Sequence, residues 1–323
     1  MRKRLMSVLV AIGLGISSSV LAADAGFDEY VLGLKAEARE NGISESIINS
    51  AFDGIEFTER AVKADKNQPE KKLTLDEYIP RAVPDWKVEQ ANQLYRKHKE
   101  ALDEIGKQLG VQPRFIVALW GVESNFGRLT GNYNVIEALS TLAYEGRREA
   151  FFRNQVMAAL EILNAGHITP SKMKGSWAGA MGQPQFMPTS FLAYAVDGNN
   201  DGRIDIWNTE VDVFASAANY LNKSGWDDKY TWGRQVKIPS SINESLLGIE
   251  KDKGRSLAEW QQLGIRRLNG QSLPKVDIKA WLIQPDDNHG RAYLIYGNYQ
   301  TLLKWNRSHY FALAVSHLAD KIR

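Results

Sequence analysis

Apolar residues recur at helical spacing along most of this chain, and one late stretch breaks instead into short β-prone runs. In "FDEYVLGLKAEARENGISESIINSAFDGI", Phe27, Tyr30, Val31 and Leu34 share one helical face, and Gly42 separates two predicted helices. Residues 57–83 are polar and carry Pro69 and Pro80, which predicts a long surface segment. The helical period returns from about Lys87, and "VEQANQLYRKHKEALDEIGKQLG" predicts one helix capped at Gly110, with Pro113 in the first turn of the next. Residues 149–165 make an amphipathic helix stopped by Gly166, and "FASAANYLNKSGW" after Val213 reads as a helix whose small residues pack closely on a neighbour. From Arg234, "RQVKIP", "IRRL", "KAWLIQP" and "RAYLIYG" alternate with Gly, Pro and Asn, which predicts a small β subdomain at about 234–298. "YFALAVSHLADKI" closes the chain as a helix. The fold class expected is mainly α with a small β part.

The first residues fit a different purpose. Arg2, Lys3 and Arg4 precede an apolar stretch from Leu5 to Val20, and Val20-Leu21-Ala22 supplies small residues before a cut. Residues 1–22 are therefore expected to be a signal peptide, leaving a catalytic unit at 23–323 exported in soluble form to the periplasm. The run is short for a bilayer span and is interrupted by Gly13, Gly15 and serines, so no stable membrane insertion is expected. Removing the leader's three bases turns the formal charge from +2 to −1, so no basic excess argues for nucleic acid. With no cysteine, disulfides, thiolate metal sites, a cysteine nucleophile and a lipid-modified cysteine are all excluded. Nine tryptophans and 44% hydrophobic residues are ample for a core, as two domains or as one with an insertion.

Three stretches carry candidate chemistry. In "ALWGVESNFG", residues 118–127, Glu123 shares a helical face with Trp120 and Ile116 and falls in the last turn of the helix. Apolar neighbours and the negative end of the helix dipole both disfavour a carboxylate, and both raise its pKa toward that of a general acid. A helix-end glutamate turned to water remains the alternative. In "DGNNDGRIDIWN", residues 197–208, Asp197, Asn199 and Asp201 stand at positions 1, 3 and 5 of an EF-hand-like loop, Gly202 at the turn, and Arg203 offers its carbonyl. Asn208 occupies the position of the usual closing acid, so Glu210 or Asp212 closes a loop lengthened to 197–212. A structural Ca²⁺ ion suits these hard oxygens, and an Asx-stabilised turn is the alternative. In "GSWAGAMGQPQFMPTSF", residues 175–191, small residues permit close backbone approach, and Ser176, Gln183 and Gln185 offer hydrogen bonds. The histidines at 98, 167, 289, 309 and 317 lack metalloprotease spacing, and neither a nucleophile elbow nor a phosphate loop is present.

Together with "TLAYEGRREAFF" and "ANYLNKSGW", these stretches resemble, in one order over most of the chain, the lytic murein transglycosylase B family of peptidoglycan-cleaving enzymes. The resemblance implies a lysozyme-like helical core and Glu123 as the single catalytic acid/base. It implies no organic cofactor, and peptidoglycan glycan strands as the partner. Ser176 and Gln185 correspond to sugar-binding groups, Tyr220 and Asn306 to further cleft residues, and Arg147 and Arg148 to a pair facing the peptide or lactyl part of muramic acid. Asp197, Asn199, Asp201 and the Arg203 carbonyl map to a calcium loop found in some members, with Asp212 closing it. Trp305, beside Asn306, departs from an expected tyrosine, and Gln183 is not assigned to the sugar. The implied reaction is non-hydrolytic cleavage to a 1,6-anhydro end. A lysozyme-type hydrolase and a calcium-stabilised glycan-binding protein without turnover are the rivals.

Overall fold

The computed structural model describes residues 17–66 and 73–323. The leader expected over residues 1–22 lies outside these up to residue 16, and the backbone of 17–22 begins the first helix. Helices α1 (Ser17–Glu40) and α2 (Glu45–Ala51) are separated at Gly42, whose φ of 80° lies in the left-handed region that glycine occupies without strain. Next come α3 (Glu59–Lys66) and α4 (Leu75–Ala82), which correct the expectation of a surface segment over 57–83. Thr74 and Glu77 form a capping box, and Leu75 and Ile79, four apart, bury one side of α4. Pro80 removes one donor, but burial of that side outweighs the loss in so short a helix. Pro69 lies outside the described residues.

A second correction falls on the helix expected from Lys87 to Gly110. It is two helices, α5 (Asp85–Lys97) and α6 (Lys99–Leu109), broken at His98. No glycine or proline marks the break. The His98 ring meets Trp120 at 6.0 Å and Phe214 at 5.3 Å, both edge-on, so packing with distant residues accompanies the bend. Helix α7 (Pro113–Ser124) begins at Pro113 as expected and is buried from Phe115 to Gly121. It contacts α5, α6 and two later helices, α11 (Glu210–Lys223) and α14 (His309–Lys321), which is why its middle, from Phe115 to Gly121, is apolar all round. A short antiparallel pair, β1 (Tyr133–Asn134) with β2 (Lys174–Gly175), closes a loop system around α8 (Val135–Tyr144) and α9 (Glu149–Asn164). Helix α10 (Pro188–Tyr194) lies between α9 and α11.

The β-prone stretch forms a five-stranded antiparallel sheet in the order β4 (Arg255–Ser256), β6 (Lys279–Ile283), β7 (Ala292–Ile295), β3 (Gly233–Lys237), β5 (Arg266–Arg267), with α12 (Leu257–Gln262) against it. Strand β7 is buried throughout because its two faces serve two cores. Ala292 and Leu294 join Trp260, Leu282 and Val236 in the sheet's own cluster, whereas Tyr293 and Ile295 enter the helical core. The last strand leads into α13 (Gly297–Trp305), and α14 returns the chain against α4 and α7. That return sets a wall beside the end of α7.

Candidate active site

Glu123 is the only acid in α7 and sits in its last turn. The helix ends abruptly: Asn125 and Phe126 both adopt left-handed conformations, with φ of 50° and 59°, which is uncommon for residues with side chains. The reversal folds the Phe126 ring back over Gly121, where a Cβ would stand only 2.7 Å from the ring. Phe126 also meets Trp120 edge-on at 5.5 Å. The small and aromatic residues around the acid thus build its apolar surroundings. Glu123 keeps partial solvent access, yet protein atoms crowd its carboxyl. Burial pushes its pKa up to about 7, partly opposed by one hydrogen-bond donor.

That donor is the indole of Trp305, whose Nε1 reaches Glu123 Oε1 at 2.5 Å. Trp305 ends α13 and is held by aromatic neighbours, Tyr220 at 4.7 Å and Phe186 at 5.2 Å. The Tyr220 hydroxyl donates to the Lys304 carbonyl at 2.7 Å, so this expected cleft residue spends its polar atom on the backbone next to Trp305. Burial, first of all, raises the Tyr220 pKa to about 12. On the α4 side stands Tyr78, whose pKa is raised by burial and by the charge of Glu123. Tyr78 meets Tyr310 at 5.2 Å, and the Tyr310 hydroxyl donates to Asp286, which also accepts the Leu75 N–H at 3.0 Å. Sequence reasoning missed Tyr78, because its segment was read as surface, and it treated Trp305 only as a departure. The Thr74/Glu77 box before Leu75 and Ile79 was the available signal for the first.

The glycine-rich stretch forms tight loops. The Ser176 hydroxyl oxygen accepts the Ala180 N–H at 3.1 Å, which leaves its own hydrogen for a ligand. Gln185, with φ of 52°, donates its amide to the carbonyls of Gly182 at 2.7 Å and Thr130 at 3.1 Å, which leaves Oε1 as an acceptor. Gln183 is buried, and both its oxygen and its nitrogen have protein partners. It accepts from Trp120 Nε1 at 2.6 Å and donates to the Trp207 carbonyl at 3.0 Å, so it is a strut. Asn306 is exposed just after Trp305, its side-chain oxygen accepting the Ser308 N–H. Arg147 and Arg148 converge on Asp65 of α3, a buried carboxylate, while both guanidinium groups stay about half exposed. Arg148 also lies over the Phe152 ring at 4.7 Å.

The acidic loop is shaped from within. Asp197 accepts backbone N–H groups of Asp201 and Gly202, and Asp201 accepts that of Arg203. Asp212, buried, accepts Gly198 at 2.8 Å and Asp205 at 2.7 Å, one on each oxygen. Its pKa is raised by burial first, with the charges of Asp197 and Asp201 adding to it against the two backbone donors. Like-charged oxygens therefore share this space, and oxygen donors of this kind fit a hard cation. Among the described residues, no three carboxylate or imidazole groups converge at ligand distance. Among them, too, no helix is long and apolar enough to cross a membrane.

The chain is 32% identical over 231 residues to membrane-bound lytic murein transglycosylase B of Escherichia coli K12, covering 71% of this chain and 62% of that protein. It thus spans less than two thirds of that relative's length. Its fold superimposes on SltB3 from Pseudomonas aeruginosa in complex with NAG-anhNAM-pentapeptide, with a TM-score of 0.87 and 40% identity, over 91% of this chain and 78% of that one. It also matches the Escherichia coli lytic transglycosylase Slt35 in complex with calcium, with a TM-score of 0.77 and 25% identity, over 93% of each chain. The lysozyme-like helical architecture expected from the sequence is the one observed. The family model described as Transglycosylase SLT domain matches residues 26–320, nearly the whole chain, and this protein belongs to that family.

Proposed function

We propose that this protein is a lytic transglycosylase that cuts the β-1,4 bond from N-acetylmuramic acid to N-acetylglucosamine in peptidoglycan without consuming water. The observation that carries the reading is a single carboxyl, raised to about 7 and held by an indole. Among the described residues no second carboxylate contributes to that shift, whereas most glycosidases need a pair. Neutral Glu123 gives its proton to the bridging oxygen as the bond to C1 breaks, and the muramyl N-acetyl oxygen stabilises C1. The ionised Glu123 then takes the proton of the muramyl 6-hydroxyl, whose oxygen closes on C1 as a 1,6-anhydro ring. Atoms balance without water, and the acid returns to its starting state. A neighbour of 40% identity in complex with an anhydro-muramyl peptide supports the product.

Ser176 supplies a hydroxyl donor and Gln185 an amide acceptor for the sugars and their acetamido groups. Asn306 offers a polar edge beside Trp305. Tyr220 contributes through its ring, since its hydroxyl is engaged. Arg147 and Arg148 meet the anionic lactyl and peptide part. Asp197, Asn199, Asp201, the Arg203 carbonyl and Asp212 hold calcium, which would neutralise the crowded loop and pin it. The calcium complex of Slt35 supports that assignment, and the ion has no part in the chemistry. The enzyme works in the periplasm after loss of residues 1–22.

Digestion of purified peptidoglycan, followed by mass spectrometry of the fragments, tests the reading. Anhydro ends are expected from the wild type and none above background from Glu123→Gln. Hydrated reducing ends would make the protein a hydrolase, and binding without fragments would make it a glycan-binding protein.

A further inference from the structure

We propose that Trp305 is a positioning residue that assigns the two oxygens of Glu123 different tasks, keeping the transferable proton on Oε2. The inference rests on the acid/base reading of Glu123, and its basis is the direction of one hydrogen bond. An indole N–H donates and has no lone pair to accept with. Its contact with Oε1 at 2.5 Å therefore makes Oε1 an acceptor in both protonation states. A protonated Oε1 would be a much weaker acceptor for the indole than a carbonyl oxygen, so the neutral acid carries its proton on Oε2. The same oxygen gives the proton to the bridging oxygen and takes it back from the 6-hydroxyl. A tyrosine hydroxyl in this place can donate or accept, so it would not impose that choice.

The indole is fixed well enough to do this. Its ring packs against Tyr220 at 4.7 Å and Phe186 at 5.2 Å, and Tyr220 is itself packed on Tyr194 at 4.4 Å. The Tyr220 hydroxyl ties down the Lys304 carbonyl, and the Lys304 amine donates to the Ser224 carbonyl at 2.6 Å. The end of α13 is thus tied to α11 on both sides of the backbone. A charged acceptor strengthens the indole bond, so Trp305 also stabilises ionised Glu123 against burial.

Two measurements on the full protein test the proposal. In the first, ¹⁵N-indole NMR spectra are recorded across pH for the wild type and Glu123→Gln. The Trp305 indole signal, assigned by its loss in Trp305→Phe, should move with a midpoint near the Glu123 pKa and stay still in Glu123→Gln. In the second, kcat/KM of Trp305→Phe is followed against pH. Loss of the donor makes the carboxylate less stable, so the acid stays protonated longer, and the alkaline limb should move up by about one pH unit. An indole signal that ignores pH would overturn the proposal, as would an unmoved limb with a uniform rate loss. Hydrated ends from the wild type would sink the transglycosylase reading but leave both tests of Trp305 decisive. Absence of turnover would leave the spectroscopic test to decide.

Discussion

Gln183 accepts the Trp120 indole N–H at 2.6 Å, tying α7, the helix that carries Glu123, to the loop that carries the acidic cluster. Its main-chain N–H donates to the Ile206 carbonyl, and its side-chain amide donates to the Trp207 carbonyl, so one residue joins α7 to the end of the 197–208 loop. In Gln183→Leu the Trp120 N–H and the Trp207 carbonyl lose a buried partner together. The expected cost is about 2–4 kcal/mol, read as a lower urea midpoint with an unchanged slope. A change under about 0.5 kcal/mol would mean that water replaces the amide at both ends.

Glu123 makes stability depend on pH in a direction opposite to an ordinary salt-bridged acid. Its pKa is about 7 in the folded protein, against 4.5 for the free side chain. The folded state therefore holds a proton that the unfolded state has released between these values. Its stabilising share is complete below about pH 4.5 and is lost as pH rises through 7. The wild type should lose about 2–3 kcal/mol at this site between pH 4.5 and pH 8. Glu123→Gln should lack that component and be the more stable protein at pH 8, although inactive. Denaturant unfolding at the two pH values checks both signs.

Gly121→Ala tests the close approach beneath the acid. The added methyl would stand 2.7 Å from the Phe126 ring and 3.1 Å from Leu318, in a helix that is otherwise tightly covered. Overpacking of this kind costs about 1–3 kcal/mol. Because the ring is the obstacle, Phe126→Ala in the same chain should recover part of the loss, giving a non-additive double-mutant cycle. Additive effects would mean that the backbone, not the ring, resists the methyl.

These residues also show what the sequence could and could not reveal. Helix α7 and its acid were legible because Pro113 starts the helix, the apolar run fills it, and Ser124 to Gly127 end it. The short β-branched and aromatic runs after Arg234 likewise announced strands, since the Gly, Pro and Asn between them mark their ends locally. The donor on Glu123 was not legible, because Trp305 lies 182 positions away and arrives only through the packing of α13 and α14. The same holds for the break at His98, which carries no local signal. The engaged state of Tyr220 and Gln183 was hidden for a related reason: a polar side chain's partner is set by tertiary packing, not by its own type.

Calcium should stabilise the protein through the acidic loop. With free calcium at about a hundred times Kd, linkage gives about 2.7 kcal/mol, which is a rise in Tm of about 4 °C for a chain of this size. Asp201→Ala removes one exposed carboxylate from the loop and should abolish most of that rise. Magnesium demands a smaller octahedral site and should give much less. Equal shifts for wild type and variant would assign the effect to some other surface.

Asp65 gives the final test, because it separates a scaffold role of Arg147 and Arg148 from a substrate role. The carboxylate is buried and takes both guanidinium groups, yet the guanidinium groups themselves remain about half exposed. In Asp65→Ala they lose their common anchor. The stability cost should be about 1–3 kcal/mol, below that of a fully buried pair because water screens the arginine side. Muramyl-peptide fragments should bind about tenfold more weakly to Asp65→Ala in a Glu123→Gln background, since two ordered cations become mobile. An uncharged N-acetylglucosamine oligomer, which offers the arginines no anion, should bind as before. Titration calorimetry with both ligands reads the difference. If both affinities fall equally, the arginines act through the shape of the cleft and make no direct contact with the anionic part of the substrate.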